Sequence, residues 1–211
     1  PDVTVRRKKG GGWIVEVNSD ALPQVLLNNR YFTEISQQAT RQQDKEYIAE
    51  CYQSANWLVR ALHQRAQTIL KVTTEIVRHQ EEFLNKGVQY LKPLVLRDIG
   101  KALDIHESTV SRVTTNKYVT TPRGIFELKY FFTTAISSSE GGDAHSSESV
   151  RHKIRELIDA ETAKDILSDD MIVDILREAG VDIARRTVAK YRESLGIPSS
   201  VHRRREKRAY G

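Results

Sequence analysis

The sequence predicts a mainly α-helical fold: a small N-terminal β-hairpin with a helical segment behind it, a long helix leading into a helix-turn-helix, a flexible linker, and a C-terminal three-helix helix-turn-helix domain. Three patterns predict it. Apolar residues recur at helical three-four spacing from Tyr47 to Leu84 with neither Gly nor Pro among them. Leu96–Lys117 and Ser168–Leu195 each read as two short amphipathic helices around a turn. Between them Ser137–Ser149 is rich in Ser, Gly and acid and holds no large apolar residue, which marks a flexible linker and a domain boundary.

The 211 residues, 39% hydrophobic and 7% aromatic, suit one or two domains whose cores depend on amphipathic segments. The net charge of +5 is unevenly held. From Arg185 onward nine Lys or Arg oppose two Glu, a local +7 that leaves −2 for the preceding residues. A patch of that kind is the footprint of nucleic-acid binding. A single cysteine, Cys51, excludes an internal disulfide framework; beside Tyr47, Ile48, Tyr52 and Ala55 it is expected to be buried, and a reducing cytoplasm fits. No apolar run reaches membrane-spanning length and no leader opens the chain, so neither a membrane nor secretion is expected. Pro1 in place of Met suggests a fragment or a processed product.

Val3 and Val5, then Trp13, Val15 and Val17 across Lys8–Gly12, alternate with period two and predict the hairpin. Isolated hairpins are marginal, so its apolar face needs a helix or a partner. Asp20–Tyr31 reads as a loop or a short helical turn. A helix runs from about Asp44 through Leu62, and the spacing resumes at Ile69, Val72, Ile76 and Phe83 as a second, unusually long helix up to Gly87. Lys71, Arg78, Glu81 and Glu82 occupy its solvated side. A helix of about 20 residues spans about 30 Å, so this one can act as a strut.

In the first helix-turn-helix Ile99 and Leu103 pack the first helix, Gly100 permits close approach, Ile105 plugs the turn, and Val110 and Val113 anchor the second helix. Asp104 stands where such motifs place a left-handed Gly; Asp tolerates that conformation better than most residues. Helix two then projects Ser108, Thr109, Ser111, Arg112 and Thr115 outward. The aromatic cluster that follows, Tyr118, Phe126, Tyr130, Phe131 and Phe132, suits core packing beneath that helix or stacking on unpaired bases.

Beyond the linker, Val150–Ala160 is amphipathic, and Ser168 caps a helix with Asp169 and Asp170 in its first turn and Gly180 at its end. Val181 and Ile183 close a turn about two residues longer than usual. The helix Ala184–Leu195 brings Arg185, Arg186 and Lys190 to one side, with Arg192 at the margin of the same side, and Val188 and Tyr191 as its inner stripe. Guanidinium forks suit guanine edges and phosphates alike. The tail Arg203–Arg208 is too charged to fold alone and is expected to lie on phosphates or stay disordered.

Catalytic chemistry finds little footing. The six histidines lack zinc-ligand spacing, and Gly10-Gly11-Gly12 lacks the Lys-Ser/Thr of a phosphate loop. A recombinase would need a nucleophile; Tyr191 among arginines is the nearest candidate, but it falls on the packing stripe. No enzyme activity, metal or cofactor is expected.

The decapeptide Ala-Arg-Arg-Thr-Val-Ala-Lys-Tyr-Arg-Glu, Ala184–Glu193, resembles the box that defines the sigma-54 (nitrogen-type, RpoN) family of bacterial RNA polymerase sigma factors. The resemblance extends through Leu96-Arg97-Asp98-Ile99, through His106-Glu107-Ser108-Thr109-Val110-Ser111-Arg112-Val113 and through the long helical stretch before them, covering nearly the whole chain.

That resemblance implies a sigma factor that recruits core RNA polymerase to promoters with minus-24 and minus-12 elements and holds a closed complex until an ATP-driven AAA+ activator acts. It implies that Arg185, Arg186, Thr187, Lys190, Tyr191 and Arg192 face the upstream element, and Glu107, Ser108, Thr109, Ser111 and Arg112 the downstream one. Lys117, Arg203, Arg204 and Arg205 are expected on phosphates. The domains expected are 1–65, part of the core-polymerase-binding domain; 66–136, the extra-long helix with its helix-turn-helix; 137–149, linker; and 150–211, DNA-binding. The glutamine-rich activator-binding region of the family is expected to lie outside this sequence. A monomer in the cytoplasm, at the bacterial nucleoid, is expected, since two unlike reading helices on one chain suit two unlike elements. The alternative is a two-headed regulator that never touches polymerase.

Overall fold

The computed structural model describes residues 1–21, 23–136, 144–162 and 165–209. Strands β1 (Val3–Arg7) and β2 (Trp13–Val17) form the expected hairpin, closed by the Lys8 N–H donating to the Gly12 carbonyl at 3.0 Å. Gly11 and Gly12 take φ of 93° and 78°, a conformation that L side chains rarely adopt. After a single turn, Ser19–Ala21, helix α1 (Asn29–Gln38) begins at Asn28, whose side chain accepts from the Tyr31 N–H. The sequence carried no helical expectation there beyond a turn.

Helix α2 (Gln42–His79) is one unbroken rod of 38 residues. Two helices were expected, and the boundary expected after Arg65 falls in mid-rod. The intervening His63-Gln64-Arg65-Ala66-Gln67-Thr68 lacks large apolar residues but is mostly good helix formers, so the packed stripe thins while the backbone continues. Only its second half is in the core, through Ile69, Val72, Thr73 and Ile76. The first half meets α1, where Phe32 stacks on Tyr52 with centroids 4.0 Å apart. Cys51 is exposed there, contrary to expectation, because apolar neighbours along a helix bury a residue only where another element covers that face.

The rod ends at Gln80 (φ −102°, ψ 25°), one residue before α3 (Glu81–Lys86). The buried Gln80 amide donates to the Lys92 carbonyl at 2.8 Å and accepts from the Lys92 N–H at 3.0 Å. That satisfies a polar group that would otherwise be costly to bury. The expected continuation to Gly87 is therefore broken by one residue.

Helices α4 (Leu96–Leu103) and α5 (Glu107–Thr114) form the first helix-turn-helix. Asp104 is left-handed as expected, at φ 52° and ψ 47°. Ile99 and Val110 are fully buried. A Cβ on Gly100 would lie 2.8 Å from the Ile105 carbonyl oxygen, so glycine is what lets the turn close against the first helix.

Strands β3 (Tyr118–Thr121) and β4 (Gly124–Glu127) were not expected. They join the N-terminal hairpin in one sheet ordered β2-β1-β3-β4, with β1 parallel to β3 (Val3 opposite Val119) and both hairpins antiparallel. Val3 and Val5 thereby share one core with Ile76, Phe83, Ile99 and Val110. The hairpin expected in the N-terminal domain thus packs as part of the helix-turn-helix body. Phe83 meets Phe126 and Phe131 edge-on at 5.4 and 5.5 Å, and of the aromatic cluster only Tyr118 is exposed. Core packing is the reading of those rings that the structure favours.

Of the expected linker, residues 137–143 lie outside the described residues. Its remainder is ordered: β6 (His145–Ser146) pairs with β5 (Ala135–Ile136), and the Ser146 hydroxyl accepts from the Ser149 N–H to cap α6 (Ser147–Asp159). The serines read as linker composition are in part a helix cap. Helices α7 (Asp169–Glu178) and α8 (Arg185–Ser194) follow, the first capped by Ser168 as expected. A further helix, α9 (Ser200–Ala209), replaces the unstructured tail, so the described residues of this body form four helices where three were expected. Its core joins Val150 and Ile154 to Leu176, Ile183, Val188 and Tyr191. Gln89 donates to Glu156 at 2.9 Å, tying α6 to the preceding body. No described helix is long and apolar enough to cross a membrane.

Gly100→Ala should destabilise the chain by about 1–3 kcal/mol, since backbone must yield to the added methyl. Urea denaturation monitored by circular dichroism checks it; an unchanged midpoint would remove the close approach as a constraint.

Candidate nucleic-acid interface

Helix α8 divides its charges by face. Val188 is fully buried and Tyr191 is 9% exposed, on the inner side with Arg192. The Arg151 guanidinium lies 4.8 Å from the Tyr191 ring centroid and covers it. Arg185, Arg186 and Lys190 are exposed on the outer side, and Thr187 is half-buried. Arg186 and Lys190 have no salt bridge among the described residues. Arg185 lies 3.2 Å from Asp170, but both side chains are well exposed, so the pair is weak and exchangeable.

Arg192 departs from expectation. Its side chain is 5% exposed, with Nε 2.9 Å from Asp169 Oδ1, Nη2 3.2 Å from Oδ2, and Nη1 donating to the Ile197 carbonyl at 2.8 Å. The hydrogen bonds to Asp169 raise its pKa further, against the opposing effect of burial. A guanidinium held this way binds α8 to the first turn of α7 and is not available to a base. Tyr191, likewise expected on the upstream element, belongs to the core and offers no exposed nucleophile.

On α5, Glu107, Ser108 and Arg112 are exposed, while Thr109 and Ser111 are half-buried. His106 caps the helix, its Nδ1 accepting from the Ser108 N–H at 3.1 Å. Arg112 has no salt bridge among the described residues. Lys117, expected on phosphate, instead lies 3.5 Å from Asp2 with its side chain 19% exposed, because β1 runs beside β3 and brings Asp2 there.

Arg203 departs from expectation as well. It is 6% exposed and its Nη2 lies 2.7 Å from Glu161. Arg204 and Arg205 are exposed beside it on α9. Sequence reasoning missed Asp169 and Glu161 as the anchors of these arginines. The pairings span 23 and 42 positions, and no local spacing signals them. Among the described residues no group of His, Cys, Asp or Glu is placed to hold a metal ion.

Two helix-turn-helix bodies, each with an exposed cation on the outer face of its second helix, define a two-headed DNA-binding protein. Comparison narrows the class: residues 45–205 match the family described as Sigma-54, DNA binding domain, and the chain belongs to that family. It is 63% identical over 210 residues to the RNA polymerase sigma-54 factor of Sinorhizobium fredii, covering 99% of this chain and 40% of that one. The RNA polymerase sigma-54 factor of Caulobacter vibrioides is 62% identical over 206 residues, covering 97% and 41%. The crystal structure of Aquifex aeolicus sigmaN bound to promoter DNA matches with a TM-score of 0.58 and 33% identity, over 96% of this chain and 58% of that one. The chain thus spans about two fifths of the length of the curated relatives it matches.

Asp169→Asn should cost about 3 kcal/mol, the usual penalty for stripping one partner from a buried ion pair. A thermal unfolding midpoint within a degree of the parent would show that Arg192 does not depend on the carboxylate.

Proposed function

We propose that this chain is the promoter-reading part of a sigma-54 factor. Helix α8 enters the major groove at the GG-bearing minus-24 element with Arg185, Arg186, Thr187 and Lys190. Helix α5 meets the GC-bearing minus-12 element with Glu107, Ser108, Thr109, Ser111 and Arg112. The observation that carries this reading is the facial division of α8: its outer cations are exposed while its inner residues are locked into the core. Exposed guanidinium groups on a rigid helix can bond guanine O6 and N7 in pairs. The relative solved with promoter DNA supports the same reading.

The chain acts as a monomer in the bacterial cytoplasm, at the nucleoid, and the factor as a whole binds core RNA polymerase and answers to an AAA+ activator. Residues 1–65 supply part of the polymerase contact. Leu26 is 97% exposed, Trp57 71% and Tyr47 69%, a concentration of large apolar surface that suits a protein partner.

Arg186→Ala should weaken binding to a promoter duplex by about 1–3 kcal/mol and relax selection at the upstream element, and Arg112→Ala should relax it at the downstream one. With about six phosphates neutralised, log K against log salt should fall with a slope near −5. Gel-shift titrations in a salt series measure both; a flat slope, or unchanged affinity for both variants, rejects the reading. For the polymerase contact, Trp57→Ala should cut retention on immobilised core polymerase by about 2 kcal/mol, as a buried tryptophan anchor does. Equal retention of parent and variant would assign that surface elsewhere and favour a regulator that does not use polymerase.

A further inference from the structure

Helix α9 has no apolar face with which to dock. Its sequence, Ser-Val-His-Arg-Arg-Arg-Glu-Lys-Arg-Ala, holds one large apolar residue, Val201, and that is 59% exposed. A ten-residue helix of this composition is marginal in water by itself. What holds it is ionic. The Glu161 side chain is fully buried and receives Arg203 Nε at 3.0 Å and Nη2 at 2.7 Å, while Lys207 Nζ lies 3.6 Å from the same carboxylate and donates to the Glu161 carbonyl at 2.7 Å. Arg203 also donates to the carbonyls of Leu167 at 2.9 Å and Pro198 at 2.6 Å. Arg203 and Lys207, four apart, form one face of α9, and that face is spent on Glu161.

The other face carries Arg204, Arg205 and Arg208, all exposed and without a salt bridge among the described residues. Arg204 and Arg208 are one turn apart, a repulsive spacing in isolation. Among the described residues no carboxylate of α6–α8 is within salt-bridge distance of that face, so its charge is complementary to a polyanion outside the chain. Its location is set by the five residues between α8 and α9, in which Gly196 turns at φ 73° and Ile197 accepts from Arg192. A reading helix that enters a groove by its N-terminal turn leaves by its C-terminal end, beside the phosphates that border the groove.

We propose that Glu161 is a positioning residue for DNA binding: by latching Arg203 and Lys207 it holds α9 so that Arg204, Arg205 and Arg208 clamp the phosphate backbone flanking the site read by α8. This rests on α8 being a DNA-reading helix and adds to it a clamp blind to base sequence. The buried carboxylate touches no DNA and acts through the arginines it places.

The test uses the 211-residue chain, a duplex bearing the GG of the upstream element and one with that GG replaced. Three variants are compared with the parent: Glu161→Gln, the triple Arg204→Ala/Arg205→Ala/Arg208→Ala, and the two combined. Glu161→Gln should lower affinity for both duplexes on the order of tenfold and flatten the salt slope by about 2–3, as for the loss of three phosphate contacts. The preference between the duplexes should be unchanged. The triple variant should do the same, and the combination should do no more than either, since both remove one clamp. Amide exchange should show α9 losing protection in Glu161→Gln while α6–α8 keep theirs.

Additive losses, or a parental salt slope in Glu161→Gln despite an unprotected α9, would overturn the latch. If Glu161→Gln unfolds the whole body, the triple variant decides, and a parental slope there overturns the clamp. A parent that binds both duplexes equally would instead defeat the reading of α8, while the salt slopes of the variants would still judge the clamp.

Discussion

The outward set of cations on α8 depends on one cation that is turned inward. Arg192 lies within the family's box, yet it is turned inward to Asp169 and to the Ile197 carbonyl. A buried guanidinium without its carboxylate would be costly, so this pair admits one orientation of α8 against α7. Arg185, Arg186 and Lys190 then point outward as a set. The second latch, Glu161 with Arg203 and Lys207, extends the same device to a helix with no apolar face. Three of the nine Lys and Arg that mark this region, Arg192, Arg203 and Lys207, are thus structural cement, and charge counting alone could not separate cement from exposed charge.

The parts of the fold legible in the sequence are those governed by short-range rules. Gly100, Asp104 and Ile105 specify the first turn within a few residues of one another, and the structure places each as spacing predicts. Ser168 caps α7 for the same local reason. The outer face of α8 follows from three-four periodicity around Val188 and Tyr191.

What escaped the sequence is non-local. The pairing of Val3 with Val119 joins segments more than a hundred positions apart, so the hairpin read as a separate N-terminal piece is half of a four-stranded sheet. Strands β3 and β4 are four residues each and dense in aromatics, a pattern that could as well be read as core packing of unspecified form. Cys51 was misplaced because periodicity finds an apolar stripe but not the element that covers it. The polar interval after Leu62 likewise interrupts the stripe of α2 without interrupting its hydrogen bonds.

The parallel ladder between β1 and β3 also has a temporal side. The second edge of β1 cannot be paired until β3 follows, after the five described α-helices between them. Closing so long a loop is slow, and until it closes β1 is paired only with β2 and its other edge stays open. A nascent chain therefore carries an unfinished sheet edge from the emergence of β1 until that of β3, a state open to wrong pairing. Asp2, which receives Lys117 and the Tyr118 N–H at that seam, is the last stitch of a body whose beginning and end must both be present before it can close.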